Sequence, residues 1–131
     1  MTKSFVILKS TSSYRDARSF ADVAARDLNV KLDLRGLARS SKLGLTFSRS
    51  QCIGDFGEFP CYAPRGRFDD GVYVSVEYST GYKGFKKGLY IVVLANGSTG
   101  ADEVRNALQK AKAKYADAYV KDTAVYLGCV H

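Results

Sequence analysis

The chain has 131 residues, 46% of them hydrophobic and 25% charged, a balance that suits one folded domain with a real core. No apolar run approaches the roughly 18 to 20 residues of a membrane-spanning helix, which excludes a transmembrane segment. A net charge of +7 favours polyanionic partners (nucleic acid, anionic lipid or acidic cell-wall polymers), against the plainer account that basic charge serves solubility.

In chain order, Phe5-Val6-Ile7-Leu8 is an apolar run that reads as a strand. Ser10 to Ser13 break it, and Ser13 with Asp16 offers a capping pair. Ala17, Phe20, Ala21, Ala24 and Leu28 then recur at helical spacing, predicting a helix near residues 13–28. Asn29 is its stop, after which Val30, Leu32 and Leu34 alternate as in a half-buried strand.

Residues 36–44 are basic and serine-bearing and read as a short turn or partial helix. From Leu45 the pattern turns β-like, with Leu45, Phe47 and Arg49 alternating. Cys52 and Cys61 enclose a Gly-rich loop ending in Pro60, which suits closure by a disulfide; Cys129 is left over. The alternatives are three reduced thiols, or Cys129 pairing with one of the other two. Residues 60–70, with Pro64, Gly66, Asp69 and Asp70, read as an irregular loop. The clearest alternation follows: Val72, Val74, Val76 and Tyr78 on one face, Tyr73, Ser75, Glu77 and Ser79 on the other. An exposed connection, Thr80 to Gly88, carries Tyr82, Lys83, Phe85, Lys86 and Lys87.

The last unit opens with the apolar run Tyr90 to Leu94 and breaks at Asn96-Gly97. The hydroxyls of Ser98 and Thr99, ahead of Asp102 and Glu103, predict a capped helix start. Val104, Ala107, Leu108, Ala111 and Tyr115 form its apolar stripe, giving a helix near 100–115. Ala118-Tyr119-Val120 and Ala124 to Leu127 then suit one interrupted strand or two short ones. Two strand-helix-strand halves predict an α+β fold. It is a split βαβ, ferredoxin-like antiparallel sheet with both helices on one face, in a single domain over residues 1–131.

The opening Phe5 to Ala17, with its serine-bearing turn, and the segment Lys114 to Lys121 resemble the first strand, turn and helix start, and the closing helix and strand, of the SPOR (sporulation-related repeat) family. The resemblance covers roughly two thirds of the chain and leaves out the middle. Residues 45–88, beyond the usual family length, read as a β-rich insertion in the central connection. Ile7 stands where the family often has a glutamine facing the glycan. The resemblance implies a non-enzymatic module of the bacterial cell envelope that binds peptidoglycan, with Ser10 and Ser12 at the first strand-to-helix turn as candidate ligand residues.

Catalytic chemistry is sparse. The single histidine is the terminal His131, a poor general base, and with Cys129, Cys52 and Cys61 it falls outside zinc-knuckle spacing, so neither metal nor cofactor is expected. The residues 96–100 lack the lysine and spacing of a phosphate-binding loop. Aromatic rings beside cations instead point to a binding surface of Tyr73, Tyr82, Lys83, Phe85, Lys86 and Lys87, on a strand face expected to be open. The ligand is then peptidoglycan or another acidic polymer. The alternatives are a secreted or periplasmic protein-binding domain, such as an inhibitor or immunity protein working through the disulfide-closed segment, and a nucleic-acid binder, disfavoured by the missing Gly-aromatic strand signature. No signal peptide is visible. A bridged Cys52–Cys61 points to a periplasmic or secreted location, reduced cysteines to the cytoplasm.

Overall fold

The computed structural model describes residues 2–67 and 69–125. Cys129, His131 and the apolar pair Tyr126-Leu127 lie outside the described residues. The main sheet contains β1 (Thr2–Thr11), β4 (Gly71–Tyr78), β5 (Tyr90–Ser98) and β6 (Tyr119–Ala124) in the order β4-β5-β1-β6, and every neighbouring pair is antiparallel. Helices α1 (Tyr14–Asp27) and α3 (Asp102–Lys112) connect β1 to β4 and β5 to β6. The fold is therefore α+β, with the split βαβ order of ferredoxin-like sheets.

Both helices lie on one face. Alternate strand residues Val6, Leu8, Val74, Val76, Val92 and Leu94 share a core with Ala17, Ala21, Ala24, Val104, Ala107 and Ala111. Alanines let α1 lie close to the sheet, and each buried valine or leucine stabilises by roughly 1.5–3 kcal/mol. The rings of Phe20 and Tyr115 meet at 5.3 Å, and the Tyr115 hydroxyl donates to Asp27 at 2.8 Å, tying α1 to the chain just after α3.

Helix α1 begins where its capping pair predicts, with Ser13 Oγ accepting from the Asp16 amide at 3.1 Å. The second cap does not form. Strand β5 runs through Asn96-Gly97 to Ser98, and α3 has Ala101 as its N-cap without a side-chain bond. Arg105 instead binds the Gly100 carbonyl at 2.6 Å and the Asp102 carboxylate.

The expected strand at Val30, Leu32 and Leu34 is also absent. That segment makes one parallel bridge, Leu32 to Val74, and otherwise packs irregularly on the core. The second strand of the first half is β4, within the stretch read as insertion, and it pairs with β5 to form the sheet edge. The turn expected at 36–44 is a small hairpin, β2 (Ala38–Ser40) with β3 (Gly44–Thr46). The Gly-rich cysteine loop holds helix α2 (Arg49–Phe56), capped by Ser48 and ended by left-handed Gly57 (φ 77°). Cys52 and Cys61 are bridged as predicted. Cys61 binds the hairpin twice, accepting from the Phe47 amide at 3.0 Å and donating to Thr46 Oγ1 at 3.1 Å.

Candidate functional site

The face of the sheet opposite the helices is the surface that sequence pattern leaves open. It is closed. Phe5, Ile7, Ile91 and Val93 form an apolar patch covered by Tyr82 and Phe85 from the 79–88 connection and by Val125. Beside it lies a buried polar network. Glu77 is fully buried and meets the Arg35 guanidinium, whose Nε donates at 3.1 Å. The hydroxyls of Tyr62 and Tyr82 donate to the same carboxylate at 2.7 and 3.2 Å. Each phenol oxygen also accepts a backbone amide, Tyr62 from Tyr78 at 3.2 Å and Tyr82 from Arg65 at 2.6 Å.

Arg65 is itself fully buried, its guanidinium 3.5 Å from the centre of the Tyr73 ring. It donates to Asn96 Oδ1 at 2.6 Å, to Ser75 Oγ at 3.0 Å and to the carbonyls of Tyr73, Val93 and Gly71. The β4–β5 ladder shifts register between Val72 and Ser75, and Arg65 fills the acceptors that this opens. Electrostatics follow from the burial. Burial pulls Arg35 down but the adjacent Glu77 outweighs it, so Arg35 is raised; burial lowers Arg65. Burial, reinforced by the Glu77 charge, pushes the phenols of Tyr62 and Tyr82 well up.

The sequence-predicted surface therefore divides. Tyr82 is 4% exposed and Tyr73 only 9%, its hydroxyl held by Asp69 at 2.5 Å. The expectation that the Tyr73–Glu77 face is open is overturned. Polar side chains on an alternating strand here face charged partners carried by an irregular segment, not water. Phe85 is half-buried on Tyr82 at 6.1 Å, and Lys121 approaches its ring at 5.7 Å. Lys83, Lys86 and Lys87 are exposed, with the Lys83 carbonyl bonded by Thr123. Ser10 is exposed within β1, and Ser12 is exposed at the β1–α1 turn.

Ser12 leads to a cleft of about 510 Å³ at the end of the sheet, between the start of α1 and the β2–β3 hairpin. One wall is Ser12, Ser13, Tyr14 and Arg15; the other is Arg39, Ser40, Ser41 and Lys42. Tyr78 and Tyr90 form the floor, with ring centres 5.0 Å apart, and Tyr14 meets Tyr90 edge-on at 5.3 Å. The hairpin's position is fixed by Gly44. Its φ of +87° suits glycine, and a Cβ there would come within 2.5 Å of the Tyr78 ring. The Tyr90 hydroxyl donates to the Gly44 carbonyl at 2.9 Å; its phenol is raised by burial, against the lowering effect of nearby Arg39. None of the lining residues carries a carboxylate, and none of the ion pairs among the described residues uses Arg15, Arg39 or Lys42. Of this site's residues, sequence pattern singles out only Ser12. Arg15, Arg39 and Lys42 are ordinary surface cations until the hairpin brings them together.

No group of three or more metal-ligating side chains occurs among the described residues. No family model, curated protein or solved structure matches this chain.

Proposed function

We propose that this chain is a non-enzymatic binding module of the bacterial cell envelope, that its ligand is an acidic wall polymer, with peptidoglycan glycan strands the leading case, and that the ligand enters the cleft between α1 and the β2–β3 hairpin. One observation carries this reading: the cleft gathers three cations and four serine hydroxyls over tyrosine rings, with no carboxylate in its lining. Rings pack against sugar faces, hydroxyls bond sugar hydroxyls, and cations hold acidic substituents. The lining offers donors and no imidazole or carboxylate to move a proton, which suits binding over turnover. The serine-bearing turn that carries the SPOR resemblance supplies Ser12 and Ser13 to this cleft. The Cys52–Cys61 bridge fits a periplasmic or secreted location, and among the described residues no helix is long and apolar enough to cross a membrane.

The test is co-sedimentation with purified sacculi. The wild-type chain pellets with them, and Arg15→Gln/Lys42→Gln does not. Retained pelleting by that variant would remove the cleft from the reading.

A second reading has its own observation. On the disulfide-pinned α2 segment, Ile53 is 52% exposed and Phe59 39%, with Arg49 stacked 4.5 Å above Phe59. An inhibitor or immunity-type domain would use this knob against a partner protein. Ile53→Asp then abolishes partner capture and leaves sacculus binding intact.

A further inference from the structure

We propose that the cleft is a phosphate site, taking a phosphate monoester borne by the ligand; this rests on the reading of the cleft as the ligand's entry and names the charged group it holds. Arg15 comes from the first turn of α1, and Arg39 and Lys42 from the β2–β3 hairpin, so two pieces of chain far apart in sequence bring three cations to one concavity. No carboxylate in the lining balances them. A single carboxylate would neutralise one of the three, whereas a phosphate monoester carries about −1.5 to −2 at neutral pH and several strong acceptor oxygens. Guanidinium groups suit it, because their paired N–H donors match two oxygens of one tetrahedral anion.

The hydroxyls sharpen this. Ser13 Oγ already accepts the Asp16 amide, and Ser40 Oγ accepts the amides of Lys42 and Leu43 at 3.2 and 3.1 Å. A hydroxyl whose lone pairs are engaged still has its proton to donate. Both serines thus present donors to the cleft, beside the cations. A wall built of donors selects a ligand group built of acceptors, and phosphate is the acceptor-richest group of ordinary biological ligands. The volume, about 510 Å³, lies in the range of small-ligand sites, roughly 300–1,000 Å³, and leaves room for a sugar against Tyr78.

The experiment is isothermal titration of the full chain at low ionic strength with four probes: inorganic phosphate, glucose 6-phosphate, inorganic sulfate and glucuronate. The proposal expects glucose 6-phosphate to bind best and inorganic phosphate to compete with it. Glucuronate should bind roughly ten-fold more weakly or worse, as loss of charge-assisted bonds implies. Arg15→Gln/Lys42→Gln should lose glucose 6-phosphate by a similar factor with an unchanged melting temperature. Lys110→Gln/Lys112→Gln, the same charge removed from α3, should bind as the wild type does. Equal affinity for glucuronate and glucose 6-phosphate overturns the proposal, as does an equal loss in the α3 variant. So does sulfate binding alone. Sacculus binding that persists without any phosphate binding overturns this inference and leaves the proposed function standing. Phosphate binding without sacculus binding does the reverse.

Discussion

On the helix side of the sheet, Val6, Leu8, Val76, Val92 and Leu94 meet the alanines of α1 and α3; on the other side, Phe5, Ile7, Ile91 and Val93 meet irregular chain, beside buried Arg65 and part-buried Arg35. The difference follows from backbone chemistry. A helix arrives with its amides and carbonyls already paired, so methyl groups alone can seal the contact. The segment 61–67 has no such ladder, and it lies against a β4–β5 register shift. Carbonyls of Ala63, Gly71, Tyr73 and Val93 need donors there, and Arg35 and Arg65 supply them. One face is held by area, the other by satisfied hydrogen bonds.

The sharpest way to break this comparison is the same kind of swap on each face. Arg65→Met keeps much of the side chain's volume but orphans a cluster of buried acceptors. It should cost about 3–5 kcal/mol in denaturant unfolding. Leu94→Met, buried under the helices, should cost less than about 1.5 kcal/mol. Equal costs would mean that the network contributes no more than shape.

A smaller effect is expected at the bridge that ties α2 to Cys61, which in turn bonds the end of the β2–β3 hairpin. Cys52→Ala/Cys61→Ala should lower unfolding free energy by about 2–3 kcal/mol, the chain-entropy expectation for a loop this short. Because Cys61 holds Thr46 and Phe47, the loss should also weaken ligand binding in the cleft across the hairpin. A variant with unchanged binding would show that the hairpin holds its place through Gly44 alone.

Alkaline titration sharpens the comparison further. Tyr62 and Tyr82 are pushed up by burial and by Glu77, whereas Tyr115, on the helix side, rises to about 12 through burial and its bond to Asp27. A raised phenol is protonated in the folded chain while the unfolded chain ionises near pH 10. Its stabilisation is therefore complete below about pH 10 and is lost as pH climbs beyond it. Ultraviolet difference spectra should show the network phenols ionising only together with unfolding. Ionisation of these phenols in a still-folded chain would mean that the face is open.

Much of the fold was legible because it is local. Helical spacing predicted α1 and α3 within a few residues, and loop composition around Cys52 and Cys61 predicted their bridge. The misses are non-local. Val30, Leu32 and Leu34 alternate as well as a strand does, but β5 pairs with β4 instead, which no local pattern decides. Strands β2 and β3 have three residues each, too short to show a period. Tyr73, Ser75 and Glu77 carry the polar half of an alternating strand, which ordinarily faces water. The cation that meets Glu77 stands far away in sequence, Arg35 being 42 residues before it, so the buried pair has no signature at the level of spacing. The cleft was hidden for the same reason, since Arg15, Arg39 and Lys42 meet only through the docked hairpin.

The claim that joins these points is that the sheet is covered on both faces over β4, β5 and β1 and that ligand meets the chain at the cleft. It is tested most directly by mapping backbone amide shifts of the ¹⁵N-labelled chain while soluble peptidoglycan glycan fragments are added. The account predicts shifts concentrated at Ser12 to Arg15 and Arg39 to Gly44, with Ile7, Ile91 and Val93 unmoved. Shifts centred on those sheet residues or on Lys83 to Lys87, with the cleft silent, would contradict it.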